Sequence, residues 1–178
     1  MRRALVILGV VVGPVLVVLV VGALLPRDHV ATSAVTMRQP PEVVWPVIRD
    51  QGALPSWWPE ITGSERLADR DGREVWRQTM RSGFEMVVVV TEVDEPTRLV
   101  THIDSPPGAP FGGDWIYRLS PADGGTRVSV TERGWIANPV FRFLARVVFS
   151  YHDTLDGYLE ALGRHFGEEL RAEHTAAE

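Results

Sequence analysis

The chain of 178 residues contains no cysteine. This absence excludes a disulfide framework, a zinc site built from thiolates and a cysteine nucleophile. The sequence also lacks the G-x-S-x-G and H-E-x-x-H motifs, which mark serine hydrolases and zinc peptidases. Its glycine pairs, Gly112-Gly113 and Gly124-Gly125, lie in turn-like stretches and not in a phosphate-binding loop.

Positive charge is also scarce, since the formal net charge is -5 at pH 7. No stripe of arginine and no alternation of basic and aromatic residues is present, so nucleic acid is not an expected partner. The sequence shows no internal repeat, no low-complexity tract and no second linker. We therefore expect a single folded domain.

One long apolar run is present, at the N-terminus. Residues 4–25 include no charged or strongly polar side chain, and about 18 apolar residues are enough to cross a bilayer as a helix. A secretory signal peptide is one alternative, with late cleavage near residues 31–34, but its apolar stretch usually has only about 7–15 residues. A buried core helix is the other, although a terminal helix that is apolar on every side suits lipid better. We therefore expect a transmembrane anchor.

Flanking charges predict the orientation of this anchor. Arg2 and Arg3 precede the run, whereas Arg27 behind it is offset by Asp28. The positive-inside rule then places the N-terminus in the cytoplasm and the rest of the chain on the extracytoplasmic side. The predicted organisation is an anchor at residues 1–29, a domain at residues 30–170 and a polar tail at residues 171–178.

Short elements follow the anchor. Residues 30–37 suit a strand, Pro40-Pro41-Glu42 suit the first turn of a helix, and residues 53–59 suit a second short helix that Pro59 ends. From residue 61 the apolar period changes to two, which is typical of strands. The predicted strands are residues 61–67, 73–80, 84–93, 98–104, 111–119 and 126–134, with turns between them.

One long helix is predicted at the C-terminus. Apolar residues recur three or four positions apart between residues 139 and 170, which is the spacing of one helical face. Because the strands follow one another along the chain, the sheet is expected to be antiparallel and the fold class α+β. A sheet that curves around one long helix forms a cup, and such a cup can hold an apolar cavity.

Several stretches resemble a known family. They are P-P-E-V-V-W-P-V-I-R-D from Pro40, L-P-S-W-W-P-E-I from Leu54, and W-I-Y-R-L-S-P-A-D-G-G-T-R-V-S-V-T-E-R-G from Trp115. Together with the closing helix they are similar to the START-like, or SRPBCC, superfamily, in its polyketide cyclase/dehydrase-like branch. The resemblance covers the chain from residue 30 onward. The predicted anchor departs from the many soluble members.

This resemblance implies a helix-grip fold. In such a fold an antiparallel sheet of about seven strands wraps around the C-terminal helix, and two short helices close one end. It also implies a cavity for lipids, sterols, polyketides or other apolar molecules. It implies no shared catalytic motif, so function has to be argued from the site.

Alternation along the strands identifies candidate cavity residues. Trp115 and Tyr117 share one face of their strand, and we expect that face to point inward. Glu132 follows Val128 and Val130 on the same parity, which places its carboxylate on the concave side. There it could act as an acid or base or anchor the head group of a ligand. The alternative is a hydrated carboxylate, or one paired with an arginine, at the open end of the strand.

Histidine and tyrosine add further candidates. His102 shares the parity of Val100 and Asp104, so an inward-facing general base is one interpretation and an exposed or structural histidine is the other. Tyr151 lies on the apolar stripe of the predicted C-terminal helix. Its hydroxyl could reach the cavity, or the ring could simply pack in the core.

Two polar residues on that helix have metal-ligand spacing. His152 and Asp156 are four positions apart and could form half of a metal site. No third ligand is suggested, so neither a metal nor another cofactor is predicted.

Trp57 and Trp58 lie in the second short helix. Adjacent helical residues point about 100° apart, so at most one of the two can point fully inward. We expect one ring to plug the core and the other to lie nearer the entrance or the surface. Trp58 is the candidate for a ligand contact if the cavity reaches it.

The leading hypothesis is a membrane-tethered domain that binds an apolar or amphipathic, lipid-like molecule. Its candidate ligand contacts are Trp115, Tyr117, His102, Glu132, Tyr151 and Trp58. One alternative is a cyclase-, dehydratase- or hydrolase-type enzyme in which Glu132 or His102 moves a proton. A third is a cell-envelope interaction module with a filled core. The sequence assigns no catalytic residue and leaves the oligomeric state open.

Overall fold

An eight-stranded antiparallel sheet is the largest element of the protein. The computed structural model describes the backbone of residues 2–176 and the side chains of residues 13–176. The strands are β1 (Asp28–Met37), β2 (Ile61–Arg66), β3 (Val75–Met80), β4 (Glu85–Asp94), β5 (Arg98–Ile103), β6 (Phe111–Ala122), β7 (Gly125–Ile136) and β8 (Glu173–His174). Their order is β2-β3-β4-β5-β6-β7-β1-β8, so the first strand pairs with the seventh.

Within residues 2–176, five helices accompany the sheet. They are α1 (Arg2–Leu24), α2 (Pro41–Arg49), α3 (Leu54–Trp57), α4 (Pro139–Val147) and α5 (Asp153–His165). Pro41 begins α2, where its missing N–H costs nothing. Helix α5 buries Leu155, Tyr158 and Leu162, which belong to one core cluster with β1, β6 and β7. The hydrophobic core therefore lies between the concave face of the sheet and α5.

The predicted α+β class, with an antiparallel sheet and a C-terminal helix against it, is confirmed. The sheet has eight strands where about seven were predicted. The additional strand, β8, lies within residues 171–178 and pairs with Ser33 and Ala34 of β1. The first strand begins at Asp28, so it overlaps the segment 1–29 that the sequence assigned to the anchor.

The prediction of one long C-terminal helix was wrong. Helix α4 ends at Val147, and α5 begins at Asp153. Between them the Ser150 N–H donates to Asp153 Oδ2 at 3.0 Å, and the His152 N–H donates to Ser150 Oγ at 3.1 Å. These bonds close a turn at residues 150–153 directly before α5, whose N-cap residue, His152, makes no capping bond with its own side chain. The helical spacing of apolar residues continues across the break, which is why the pattern alone suggested a single helix.

The predicted anchor, residues 4–25, falls in part on residues whose side chains lie outside the described residues. In the part of the chain that the structure describes, no helix is both long and apolar enough to cross a membrane.

Helix α1 packs against α4. A Cβ atom at Gly22 would collide with the backbone carbonyl of Pro139, so the absence of a side chain allows this close approach. Arg142 of α4 donates from Nη1 to the Leu25 carbonyl at 2.9 Å. These contacts hold α4 at the end of the sheet where α1 enters the domain.

Candidate functional site

A cavity of about 510 Å³ lies between the concave face of the sheet and helices α3, α4 and α5. Strands β3 to β7 and β1 contribute one wall. The segment between α4 and α5 contributes the other, with Ser150 and Tyr151. Aromatic and aliphatic side chains make up most of the surface. Small-molecule sites usually have volumes of roughly 300–1,000 Å³, so this space is large enough for a ligand.

An aromatic cluster forms one end of the cavity. Trp58, Trp115 and Tyr117 line it, and Tyr158 of α5 lies fully buried behind them. The ring centroid of Tyr158 is 5.1 Å from that of Trp58, 5.8 Å from that of Trp115 and 5.5 Å from that of Tyr117. Edge-to-face contacts at such distances stabilise aromatic pairs beyond the area they bury. The cluster is thus a rigid apolar wall with Tyr158 at its centre.

Burial keeps the phenols of this cluster protonated. Removal from water raises the pKa of Tyr117, and it raises the pKa of Tyr158 well above its usual value of 10.0. Neither phenol therefore carries a negative charge near neutral pH. The Tyr158 hydroxyl has no hydrogen-bond partner among the described residues.

A polar pair interrupts the apolar wall. Glu132 of β7 lies 3.2 Å from His29 of β1, measured from Oε1 to Nε2. The Tyr151 ring stacks on the His29 imidazole with centroids 4.2 Å apart and planes 12° apart. All three residues line the cavity. A carboxylate and an imidazole in contact can hold a ligand's polar group or exchange a proton with it.

Gly134 makes room for this pair. A Cβ atom at this position would lie 2.7 Å from His29 Cε1 and 3.0 Å from Glu132 Oε1. Gly134 pairs with His29 across β1 and β7. The missing side chain therefore lets the imidazole lie over the partner strand and reach the carboxylate.

A second polar feature lies on the opposite side, near α3. Gln78 donates from Nε2 to Gln51 Oε1 at 3.2 Å, and Gln51 donates from Nε2 to the Ile48 carbonyl at 3.1 Å. Both side chains are buried and line the cavity. The sequence analysis did not identify this pair, because nothing in the local pattern distinguishes a buried glutamine from an exposed one.

Five of the six candidate residues line the cavity. Alternation correctly placed Trp115, Tyr117 and Glu132 on the concave side, and the structure brings them together with Tyr151 and Trp58. Of the two alternatives for Glu132, the structure agrees with the placement on the concave side, where the carboxylate contacts the imidazole of His29.

Of the two interpretations of His102, the structure supports the exposed histidine, so His102 is not among the residues that line the cavity. Its side chain is 46% exposed, and its Nδ1 lies 2.7 Å from Asp114 Oδ1 on the outer face of the sheet. Thr101 and Ile103 face the cavity in its place. Both Leu99 and Val100 are buried, so this strand carries apolar residues on both faces. Alternation along it therefore does not identify which face points into the cavity.

His29 was not predicted to be a site residue, because it fell in the segment assigned to the anchor. Extending the predicted strand by one residue would have placed it on the inward face with Ala31 and Val35. Both tryptophans are buried, and the cavity reaches Trp58 as its candidacy for a ligand contact required. Trp57 contacts Tyr158 and His165, whereas Trp58 lines the cavity.

The rim of the cavity is apolar and partly exposed. Phe84 and Phe111 pack against each other with ring centroids 5.3 Å apart and planes tilted by 44°. Phe141 and Ala145 reach the cavity from α4, and Phe141 is 53% exposed. Phe141 thus both lines the cavity and contacts solvent, so α4 lies at the boundary between the cavity and the surface.

Comparisons with known proteins agree with this architecture. The model of the family described as "Polyketide cyclase / dehydrase and lipid transport" matches residues 28–164. No curated protein matches the chain at a significant level in sequence.

Solved structures share the fold at low sequence identity. A START superfamily protein from Mycobacterium smegmatis is 21% identical with a TM-score of 0.61, covering 77% of this chain and 96% of that one. The Zhui aromatase/cyclase from Streptomyces sp. R1128 is 17% identical with a TM-score of 0.62, covering 78% and 93%. A conserved protein from Geobacillus kaustophilus is 14% identical with a TM-score of 0.62, covering 82% and 100%. These similarities establish the helix-grip fold.

Proposed function

The chain belongs to the polyketide cyclase/dehydrase and lipid transport family, and we propose that it binds an apolar or amphipathic, lipid-like molecule in its cavity. The observation that carries this proposal is the space of about 510 Å³ with an aromatic end and one carboxylate–imidazole pair in its wall. The hypothesis of an interaction module with a filled core requires bulky side chains to occupy this space. The cavity argues against it.

The two ends of the site suit the two parts of an amphipathic ligand. Trp58 and Trp115 offer flat apolar surface, and each 100 Å² of apolar ligand area removed from water contributes about 2.5 kcal/mol before the costs of binding. A buried polar head group needs a hydrogen-bond partner. Glu132 and His29 provide such a partner. Among the described residues, no arginine forms a salt bridge with the Glu132 carboxylate.

Mass spectrometry tests the proposal. The full-length chain is purified under native conditions and extracted with organic solvent, and the extract is analysed for small molecules. We expect one apolar or amphipathic species in an amount approaching one per chain and absent from a mock purification. If no such species is recovered, and a photoactivatable long-chain alcohol added in excess labels no cavity residue, the proposal is wrong.

We also propose that residues 4–25 hold the domain at a membrane, with the N-terminus cytoplasmic and the domain extracytoplasmic. The apolar run and the flanking charges support this placement. The packing of α1 on α4 supports it further, since α4 lines the cavity and the segment at its end exposes Val147, Val148 and Phe149. Fractionation at the start of the purification tests it. Release of the chain by salt alone, without detergent, would contradict it.

An enzyme remains the second candidate, and the contact between Glu132 and His29 is the observation that favours it. In this reading Glu132 takes or gives a proton, with His29 in the role that the sequence analysis considered for His102. Proton transfer by a positioned side chain contributes roughly 10²–10⁴-fold to a rate. Cyclisation, dehydration and hydrolysis all use such a step.

The variant Glu132→Gln distinguishes the hypothesis of an enzyme from the hypothesis of a binding domain. The amide keeps the shape and can still contact His29, so we expect the melting temperature to change little. If the protein is an enzyme, chemical conversion of the extracted molecule should fall at least about 100-fold. Asp114→Asn is the matched control, because Asp114 also pairs with a histidine but lies outside the cavity. Undiminished conversion by Glu132→Gln would exclude this carboxylate as the acid or base.

A further inference from the structure

A second cluster of polar side chains lies outside the cavity, where α5 crosses the edge of the sheet. It is formed by His152 and Asp156 at the start of α5 and by His174 of β8. One ligand atom from each residue lies within 4.8 Å of the others. The sequence placed His152 and Asp156 on one helical face but offered no third ligand. Pairing of β8 with β1 supplies it, because His174 lies opposite Ser33 in the register.

Hydrogen bonds already hold these groups together. Ser33, fully buried on β1, donates from Oγ to Asp156 Oδ1 at 2.5 Å and lies 3.1 Å from His152 Nδ1. His174 Nε2 lies 2.9 Å from Asp156 Oδ2. Ser33 thus orients the side chains of His152 and Asp156. Hydrogen-bonding groups around a metal site orient its ligands in the same way.

We propose that His152, Asp156 and His174 bind one divalent transition-metal ion of the zinc class. Two imidazoles and one carboxylate are ligands that zinc favours, and three protein ligands leave a fourth position for water. Hard ions such as Mg²⁺ and Ca²⁺ prefer sets made only of oxygen, so they fit this cluster poorly.

The cluster is also open to a cation from solvent. Asp156 brings a negative charge, and its side chain is 26% exposed, so an ion can reach it from solvent.

One adjustment is needed for all three ligands to meet one ion. The rings of His152 and His174 are stacked, with centroids 3.8 Å apart and planes 16° apart. Zinc–nitrogen bonds are about 2.0–2.1 Å long, so one ring must turn for both nitrogens to point at the same ion. His174 can turn, because it is half exposed and lies in a strand of only two residues.

Such an ion would join two parts of the chain, the start of α5 and β8. It would fix β8 to α5 and stabilise the helix start that follows Ser150. Tyr151, which stacks on His29 in the cavity wall, lies in that segment. The site is independent of the proposed ligand function, since none of its three residues lines the cavity.

Calorimetric titration of the metal-free, full-length chain with Zn²⁺ tests this proposal. We expect one ion per chain, and His174→Ala should weaken binding by more than about 100-fold, because removal of a ligand costs more than loss of an outer-shell group. Zinc at about 100 times its Kd should raise the Tm of the wild type by roughly 5–10 °C and leave that of His174→Ala unchanged.

His102→Ala is the matched control, because His102 is also a half-exposed histidine paired with an aspartate. It should bind zinc as the wild type does. His174 lies on an exposed terminal strand, so its replacement is expected to leave the fold intact without metal. Absence of one-to-one binding by the wild type, or unchanged binding by His174→Ala, overturns the proposal.

Discussion

Replacing Tyr158 by alanine is expected to lower the free energy of unfolding by about 3–5 kcal/mol, the range for removal of a fully buried large aromatic side chain. The Tyr158 ring contacts Trp57, Trp58, Trp115 and Tyr117, so its loss opens a cavity at the centre of the aromatic cluster. These neighbours are large and held by the sheet and α3, so they can collapse only partly into the space. Urea unfolding followed by tryptophan fluorescence measures the change.

Tyr158→Phe is the matched control for this prediction. It keeps the ring and removes only a hydroxyl that is buried without a hydrogen-bond partner among the described residues. Since an unpaired buried hydroxyl costs free energy, its removal should leave stability unchanged or raise it by up to about 1 kcal/mol. A loss of more than about 1 kcal/mol in Tyr158→Phe would mean that the hydroxyl has a partner after all.

Replacing Ala145 by tryptophan is expected to reduce ligand uptake at least about tenfold, equivalent to about 1.4 kcal/mol of binding free energy. Ala145 lines the cavity from α4, so an indole there takes up part of the space that a ligand would occupy. It points into open space and not into packed core, and we therefore expect stability to fall by less than about 1 kcal/mol. Labelling of the full-length chain by the photoactivatable long-chain alcohol, quantified by mass spectrometry, measures uptake.

Arg146→Trp provides the control for Ala145→Trp. Arg146 is the next residue of α4, is exposed and does not line the cavity. The same indole there adds apolar surface outside the cavity, so labelling of cavity residues should match the wild type. Equal labelling in Ala145→Trp and the wild type would show that the ligand enters elsewhere or does not use this cavity.

The inward faces of the last two long strands were predictable from the sequence. Trp115, Tyr117 and Glu132 lie on the concave side because side chains alternate strictly along a regular strand. In each of these strands, one of the two alternating sets of residues is clearly more apolar than the other. That set identifies the buried face. The same reasoning failed for His102, where Leu99 and Val100 are both buried and neither parity stands out.

The break in the C-terminal helix could have been found in the sequence. The spacing of Ser150 and Asp153 fits a capping box, which marks a helix start even within an apolar stripe. Periodicity outweighed this signal, because α4 and α5 both carry apolar residues at helical spacing. A serine side chain can cap a helix or simply project from its surface. The local backbone conformation decides between the two, and the spacing of apolar residues contains no information about it.

The sequence by itself determined the fold class, the family and the residues whose orientation follows from local alternation. Those features depend on neighbours a few positions apart, where the geometry of a strand or helix is fixed. The tertiary structure decided what depends on distant pairing. His29 meets Glu132 only because β1 lies beside β7, and His174 joins His152 and Asp156 only because β8 lies beside β1. The volume of the cavity likewise depends on how far the sheet curves from α5, which is set by packing across the whole domain.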